Sequence, residues 1–481
     1  MITLSRNNSL FLCRENLNTF ISNCNKLQYK QSVNEVADVT ALLDWSNAEL
    51  EQLSSLTAEY HGNAPYYEPV EVSKLEFSLE RSSRVYPESF VKEYSRKESI
   101  CSTSWATSIV EVAEAAVDNQ FEFSVDQLMQ CMPAYFDMES GCRGFEPKMI
   151  MTYLKEVGLV RKDDFVDCAS LNQKAKFTFA HVLPEAPNKS GLMNLVAEGK
   201  PVFVMMALDL AKLRFVKDNR NYEPLKSGAM QPTMYGIVSG YNANGESPYW
   251  EIVSHLLPAE EMIVRVPMSE SETNANYAGI AGYAFTLEFM EPPTASFVCD
   301  ESVYPRIEDI PADATELVFK AGSYPDVESV DFSIFPLLKS LTFEDNSFVN
   351  CYEAIITGEL LTSLEVGDSC FSGNDADTSR RLASLSKSSS CVLKKSTKLQ
   401  SVKIGNNSFQ NVQEVVFDGL KSLKSVQVGQ NSFTKHESGY GYDASRSFTV
   451  SNCANLNSLS FDRYSFSDFS SFKVTSGNKQ R

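Results

Sequence analysis

ICSTSWATSIVEVAEAAVD, residues 100–118, sets Ser104 and Trp105 at the head of a run whose apolar side chains recur at helical spacing from Ala106 onward. Downstream, residues 202–208 and 235–241 are short, apolar and bounded by Pro or Gly, the pattern of buried strands. One long helix followed by later strands predicts an α+β domain over residues 86–290.

Outward from that domain the composition changes. Residues 1–85 are polar and rich in Asn and Glu, with helix-like stretches at 10–24 and 47–58. Ser46 precedes the second as an N-cap, and Glu49 completes a capping box. The segment has too few large apolar residues for its own core and reads as a pro-region or accessory segment. Residues 291–313 read as a Pro-containing linker. Residues 314–481 hold a repeat, L-x-x-L-x-φ-x-x-N-S-F with φ an apolar residue, starting at Leu338, Leu361, Leu399, Leu423 and Leu456, with a degenerate copy at Ala314. Offsets 0, 3, 5 and 10 are expected to point inward. Asn346, Asn407 and Asn431 recur at offset 8, where a buried amide can satisfy turn backbone groups. Stacked coils bury what one coil cannot.

With 43 Lys and Arg against 62 Asp and Glu in 481 residues, the net charge is −19. A nucleic-acid binder needs a basic face, so that class falls away. No apolar run approaches the roughly 18 residues of a membrane-spanning helix, so no integral membrane segment is expected. No metal-ligand spacing or phosphate-binding glycine loop appears, and no cofactor is expected.

The segment Cys101-Ser102-Thr103-Ser104-Trp105 resembles the C-G-S-C-W nucleophile segment of papain-like, cathepsin-type cysteine peptidases. More of that family's marks follow in order. FSVDQLMQC (123–131) is similar to L-S-E-Q-x-L-x-D-C, and GCRGF (141–145) to G-C-N-G-G. MYGIVSGYNANGESPYWEIVSH (234–255) is similar to H-A-V-x-x-V-G-Y followed by Y-W-x-x-K-N-S. YKQSVNEVADVT (29–40) resembles the family's inhibitory propeptide. The repeats resemble leucine-rich repeats of the BspA type. The resemblance implies a multidomain chain: a propeptide-like segment (1–85), a two-lobed α+β papain-like domain (86–290), the linker, and a leucine-rich-repeat solenoid (314–481). It implies disulfides Cys101–Cys142 and Cys131–Cys168 and hence an oxidising compartment, secreted, extracellular or lysosome-like. Met1 to Phe20 lack the apolar core of a signal peptide, which is read as a truncated N-terminus; a leaderless cytosolic protein is the alternative. Cys299, Cys351, Cys370, Cys391 and Cys453 stay unassigned.

By the same resemblance, the substrate cleft would include Gly144, Phe145 and Trp105, with Phe145 filling the groove where a glycine leaves room. The catalytic positions are all changed. Ser104 stands for the nucleophilic cysteine, Met234 for the histidine, Ser254 for the asparagine that orients it, and Glu98 for the oxyanion glutamine. A thioether cannot act as a base. A carboxylate, which only accepts hydrogen bonds, repels a developing oxyanion. His255 follows Ser254 on an expected strand, so it should face away from Ser104 unless a bulge turns it inward. The expectation is a catalytically inactive homologue that engages a protein partner through its repeats, its own pro-segment resting in the former cleft. The alternatives are a hydrolase that uses Ser104 with His255 as base, and a decoy or inhibitor of peptides or of an active peptidase.

Overall fold

The computed structural model describes residues 70–78, 103–138, 140–142, 144–185, 188–206, 234–244, 246–257, 260–268, 280, 284–372, 390–394, 396–410, 412–434 and 443–475. These divide into two compact units, one ending at Met290 and the other beginning at Glu291, except that Leu171–Lys176 group with the second.

The first unit holds helices α1 (Ser104–Ala116), α2 (Val125–Tyr135), α3 (Pro147–Glu156) and α4 (Lys189–Ala197). Its strands are β1 (Glu76–Ser78), β2 (Phe179–Val182), β3 (Val202–Met206), β4 (Met234–Asn242), β5 (Tyr249–Leu257), β6 (Glu260–Pro267) and β7 (Thr286–Phe289). Helix and strands fall where the apolar periodicity put them. α1 is buried on nearly every side, from Ser104 and Trp105 through Ala113. A helix of that kind belongs inside a core, and α1 packs on β3, β4, β5 and β7. Strands β4, β5 and β6 form an antiparallel sheet. β3 lies along the first half of β4's free edge and β1 along the second. β2 and β7 make a separate antiparallel pair.

β1 comes from the segment expected to be a pro-region. Residues 70–78 are docked: Val70 N–H donates to Ser190 Oγ, Ser73 N–H to Asn194 Oδ1, and Tyr241 O–H to the Lys74 carbonyl. This contact is at the far end of β4, seven residues and so about 24 Å from Met234. The remainder of 1–85, including the Ser46 cap, lies outside the described residues.

The second unit consists of β8 (Ser296–Cys299), β9 (Glu316–Phe319), β10 (Ser329–Asp331), β11 (Ser340–Phe343), β12 (Glu353–Thr357), β13 (Ser363–Val366), β14 (Ser390–Lys394), β15 (Ser401–Ile404), β16 (Glu414–Asp418), β17 (Ser425–Val428), β18 (Asp443–Ser451), β19 (Ser458–Phe461) and β20 (Phe469–Thr475). They form two parallel sheets, β8-β9-β11-β13-β15-β17-β19 and β10-β12-β14-β16-β18-β20. Each repeat gives one strand to each sheet, and the copies stack in register: Leu317, Leu341, Leu364, Val402, Val426 and Leu459 are successive partners. Residues 291–313, expected as a linker, instead begin this stack. β8 pairs with β9, Cys299 is buried, and Ile307 and Ile310 close over the first coil.

The repeat consensus has a more specific origin than inward-facing apolar residues. Offsets 8 and 10 are left-handed at Asn346 and Phe348, Ser369 and Phe371, Asn407 and Phe409, Asn431 and Phe433, and Tyr464 and Phe466. Asn tolerates that region better than other side chains carrying a Cβ, which explains offset 8. The amides at offset 8 are not buried as expected: Asn346 is exposed and Asn407 and Asn431 are half-buried, and Asn431 Nδ2 donates to Asn407 Oδ1 at 3.2 Å, forming a side-chain ladder. Two further ladders run beside it. Asp345, Asp368 and Asn406 each accept the backbone N–H of the next coil, from Asp368, Asn406 and Gln430, at 2.7–2.8 Å. At offset 9, Ser408 accepts from Cys370 N–H, and Ser432 from Ser408 N–H. The offset-10 rings form a continuous spine, Tyr324, Phe348, Phe371, Phe409, Phe433 and Phe466, with centroids 4.6–5.5 Å apart.

Candidate functional site

Ser104 is the first residue of α1 and is fully buried. Trp105 anchors the helix start: its Nε1–H donates to the Gly141 carbonyl at 2.9 Å. Gly141 also begins the GCRGF turn. Gly144 within that turn has φ +70°, and a Cβ there would meet Tyr235 Oη at 2.4 Å. Only glycine fits both the backbone and the neighbour. Phe145 is buried edge-on against Trp105, centroids 5.1 Å apart, and near Phe136. The three residues assigned to a cleft therefore meet, with Phe145 and Trp105 forming core.

α2 is fixed from its ends. Ser124 Oγ accepts the Gln127 N–H as an N-cap. The Gln127 amide is buried, donates to the Gly158 carbonyl and accepts from Val160 N–H. Cys131 on α2 bonds to Cys168, as the resemblance implied. Cys142 is likewise disulfide-bonded; Cys101, the expected partner, lies outside the described residues, as does Glu98. Cys299, Cys351, Cys370 and Cys453 are buried free thiols. Burial pushes the Cys299 thiol up to about 12 and those of Cys370 and Cys453 upward as well, so none is primed as a nucleophile.

Met234 opens β4 opposite Met206, and Ser254 on β5 pairs with Met262. The register of β5 and β6 shifts between Ser254 and Leu257. His255 lies inside that irregular stretch. The imidazole is buried and faces α1, with Nε2 2.7 Å from Glu111 Oε2. Glu111 lies seven residues after Ser104 on α1, on the same face and about 10 Å further along the axis. A carboxylate only accepts, so Nε2 donates to it, which leaves the lone pair of the neutral ring on Nδ1. Sequence reasoning missed Glu111, because in α1 it reads as one more solvated charge beside Glu114. Glu114 is itself buried, its carboxylate accepting Phe123 N–H.

Among the described residues, no group of three or more His, Cys, Asp or Glu is placed to hold a metal, and no helix is long and apolar enough to cross a membrane. The sequon at Asn188 is buried: its side chain caps α4 by accepting Gly191 N–H. The sequon at Asn406 is engaged in the inter-coil ladder.

Residues 84–254 match the family model of papain family cysteine proteases, which places a papain-like domain in the first unit. Among solved structures, digestive procathepsin L 3 of the larval midgut of Tenebrio molitor is similar at 15% identity, covering 51% of this chain and 80% of that one, with a TM-score of 0.38. The proform of the Amb a 11 cysteine protease, a ragweed pollen allergen, is similar at 16% identity, covering 52% and 78%, with a TM-score of 0.39. Comparison with curated protein sequences finds no match.

Proposed function

We propose that the papain-like domain is a catalytically inactive scaffold, and that the second unit is a leucine-rich-repeat solenoid of the BspA type serving as a protein-binding arm. The observation that carries the first half is the thioether of Met234 at the family's histidine position. The histidine nearest in sequence to the former catalytic strand positions gives Nε2 to a carboxylate two turns along α1 from the buried Ser104. Met234, at the usual histidine position, supplies no base. Removal of one oxyanion donor alone lowers turnover by about 10²–10³, and here the nucleophile, base and orienter types are all replaced. The protein belongs by this reading in a secreted, extracellular or lysosome-like compartment, in keeping with its disulfides.

Support for the second half is the parallel stack itself, which presents one side of each strand outward over thirteen strands. The test of inactivity is hydrolysis of a broad fluorogenic peptide library by the full chain with disulfides intact, beside Ser104→Ala. Equal rates are expected. Cleavage abolished by Ser104→Ala would establish the hydrolase alternative and make His255 the next residue to replace.

A further inference from the structure

Charge is spread unevenly along the second unit. Residues 291–360 carry 14 Asp and Glu against three Lys and Arg, whereas residues 361–481 carry 10 against 15. All three cations of the first stretch are already paired: Arg306 with Asp309, Lys320 with Asp300 and Lys339 with Glu291. The acidic surplus of the first coils is therefore not neutralised within that stretch.

A cleft of about 280 Å³ lies in the same stretch. It opens on the outer face of β10 and β12, beside the turn Ile307–Asp309. Two kinds of side chain line it. Ile307, Ile334 and Ile355 supply apolar surface, and Ile334 and Ile355 are each 36% exposed. Glu308, Asp331 and Glu353 supply three exposed carboxylates. Strand alternation accounts for the arrangement. Val330, Ala354 and Ile356 are buried in the core, so Asp331, Glu353 and Ile355 point outward, with Asp331 opposite Ile355. Asp331 accepts Ser333 N–H and keeps further lone pairs. Among the described residues, none of the three carboxylates is held in an ion pair.

We propose that this cleft takes a lysine or arginine side chain from an extended segment of a partner protein, which, resting on the reading of the second unit as a protein-binding arm, gives that arm a ligand class. A long basic side chain matches the lining part by part: its methylene stem covers the isoleucines while its cationic head meets the carboxylates. An apolar or acidic side chain would instead cover carboxylates and leave them without a partner. β10 is the end strand of its sheet among the described residues, so a segment lying along it gains main-chain bonds that hold it over the cleft. The cleft falls just below the roughly 300–1,000 Å³ of small-molecule sites, which suits single side chains better than a whole ligand. The surrounding acidic surplus draws a basic partner in and makes its association weaken with salt.

Fluorescence anisotropy of short labelled peptides mixed with the full chain tests this. One peptide alternates Lys and Val, a second Lys and Ser, a third Glu and Val. The Lys–Val peptide is expected to bind, the Lys–Ser peptide about tenfold more weakly for want of apolar contact, and the Glu–Val peptide not at all. Glu308→Lys, and separately Glu353→Lys, should each weaken Lys–Val binding about tenfold or more. Glu414→Lys should leave it nearly unchanged, although Glu414 occupies the same register row as Glu353 two strands further on. All three replaced residues are exposed, so no core is emptied, and an unchanged circular dichroism spectrum verifies folding. Equal loss in Glu414→Lys would mean diffuse attraction and overturn the inference. Binding that ignores both cleft variants, or that the Glu–Val peptide shows instead, overturns the cleft while keeping the arm. Binding of none of the three overturns the cleft and leaves the arm without a peptide ligand.

Discussion

Truncating Phe409 should strongly destabilise the second unit, and the backbone should reverse the usual ranking of Ala over Gly. The ring is buried and stacked between Phe371, 4.7 Å away, and Phe433, 5.2 Å away. Phe→Ala in a core costs about 3–5 kcal/mol, and two lost ring pairs add about 0.5–1.5 kcal/mol each beyond area burial. A total near 5 kcal/mol is expected for Phe409→Ala. Phe466 has one spine neighbour at 4.6 Å but also meets Phe448, Phe461, Phe469 and Phe472 at 4.9–5.6 Å, so its truncation should cost at least as much. Phe409 also sits at φ +54°. An L-residue there carries about 1 kcal/mol of strain that glycine does not, whereas in an ordinary strand Gly is the worse choice by about 0.5–1 kcal/mol. Phe409→Gly should therefore be as stable as Phe409→Ala or slightly more so, while Val402→Gly falls below Val402→Ala. Urea unfolding measures all of these. All three tryptophans, Trp45, Trp105 and Trp250, precede Glu291, so a transition seen by circular dichroism without a tryptophan change belongs to the second unit. If Phe409→Gly falls below Phe409→Ala by the same margin as the Val402 pair, the left-handed explanation of the consensus is wrong.

Glu111→Ala should destabilise the first unit by about 2 kcal/mol, since it strands a buried imidazole, and Glu111→Gln by less than about 1 kcal/mol, because the amide oxygen still accepts; the tryptophan-monitored urea midpoint reads both. Gly405→Ala would bring a Cβ to 2.5 Å from the Gly367 carbonyl carbon, so coil spacing must give; a loss of about 2 kcal/mol or more is expected in the second unit, and a neutral result would mean the coils are looser than described. The buried Cys299 thiol predicts a pH effect. Its folded pKa is raised from 9.0 to about 12, so the native state keeps a proton that the unfolded chain releases. Stability is full below pH 9 and falls as pH rises from 9 to 12, by about 1 kcal/mol at pH 10. Cys299→Ala should flatten that slope in second-unit unfolding, and an unaltered slope would assign it to other groups.

Much of this was legible because the sequence signals are local. Helical spacing from Ala106 gave α1, short apolar runs gave β3 and β4, and the repeat gave inward offsets that the middle coils obey. The failures share a cause in tertiary context. Glu111 as the partner of His255 was not legible because the pair joins an α1 residue to a strand residue 144 positions away. Residues 291–313 look like a linker because the strand Ser296–Cys299 is too short to show a period, and only β9 gives it a partner. Offset 8 drew attention to an amide ladder, whereas the plain serine at offset 9 and the mixed residues at offset 7 carry as many inter-coil bonds.

The papain-like marks that persist are those whose work is mechanical. Trp105 holds the GCRGF turn through Gly141, Gly144 makes room for Tyr235, and Gln127 closes three backbone and side-chain contacts around α2. None of these depends on what stands at 104 or 234. A serine at the first position of α1 satisfies the same helix geometry as a cysteine, and a methionine fits a β4 backbone whose pairing with β3 is already fixed by main-chain bonds. On the proposed inactive reading, scaffold and chemistry are separable in this fold, the scaffold being held by packing alone. His255, a buried imidazole bound to Glu111, ties β5 to α1. If that tie is structural, Glu111→Ala should lower the first unit's stability and leave peptide hydrolysis at the Ser104→Ala baseline. A matched loss of hydrolysis would instead make Glu111 the orienter of a working base.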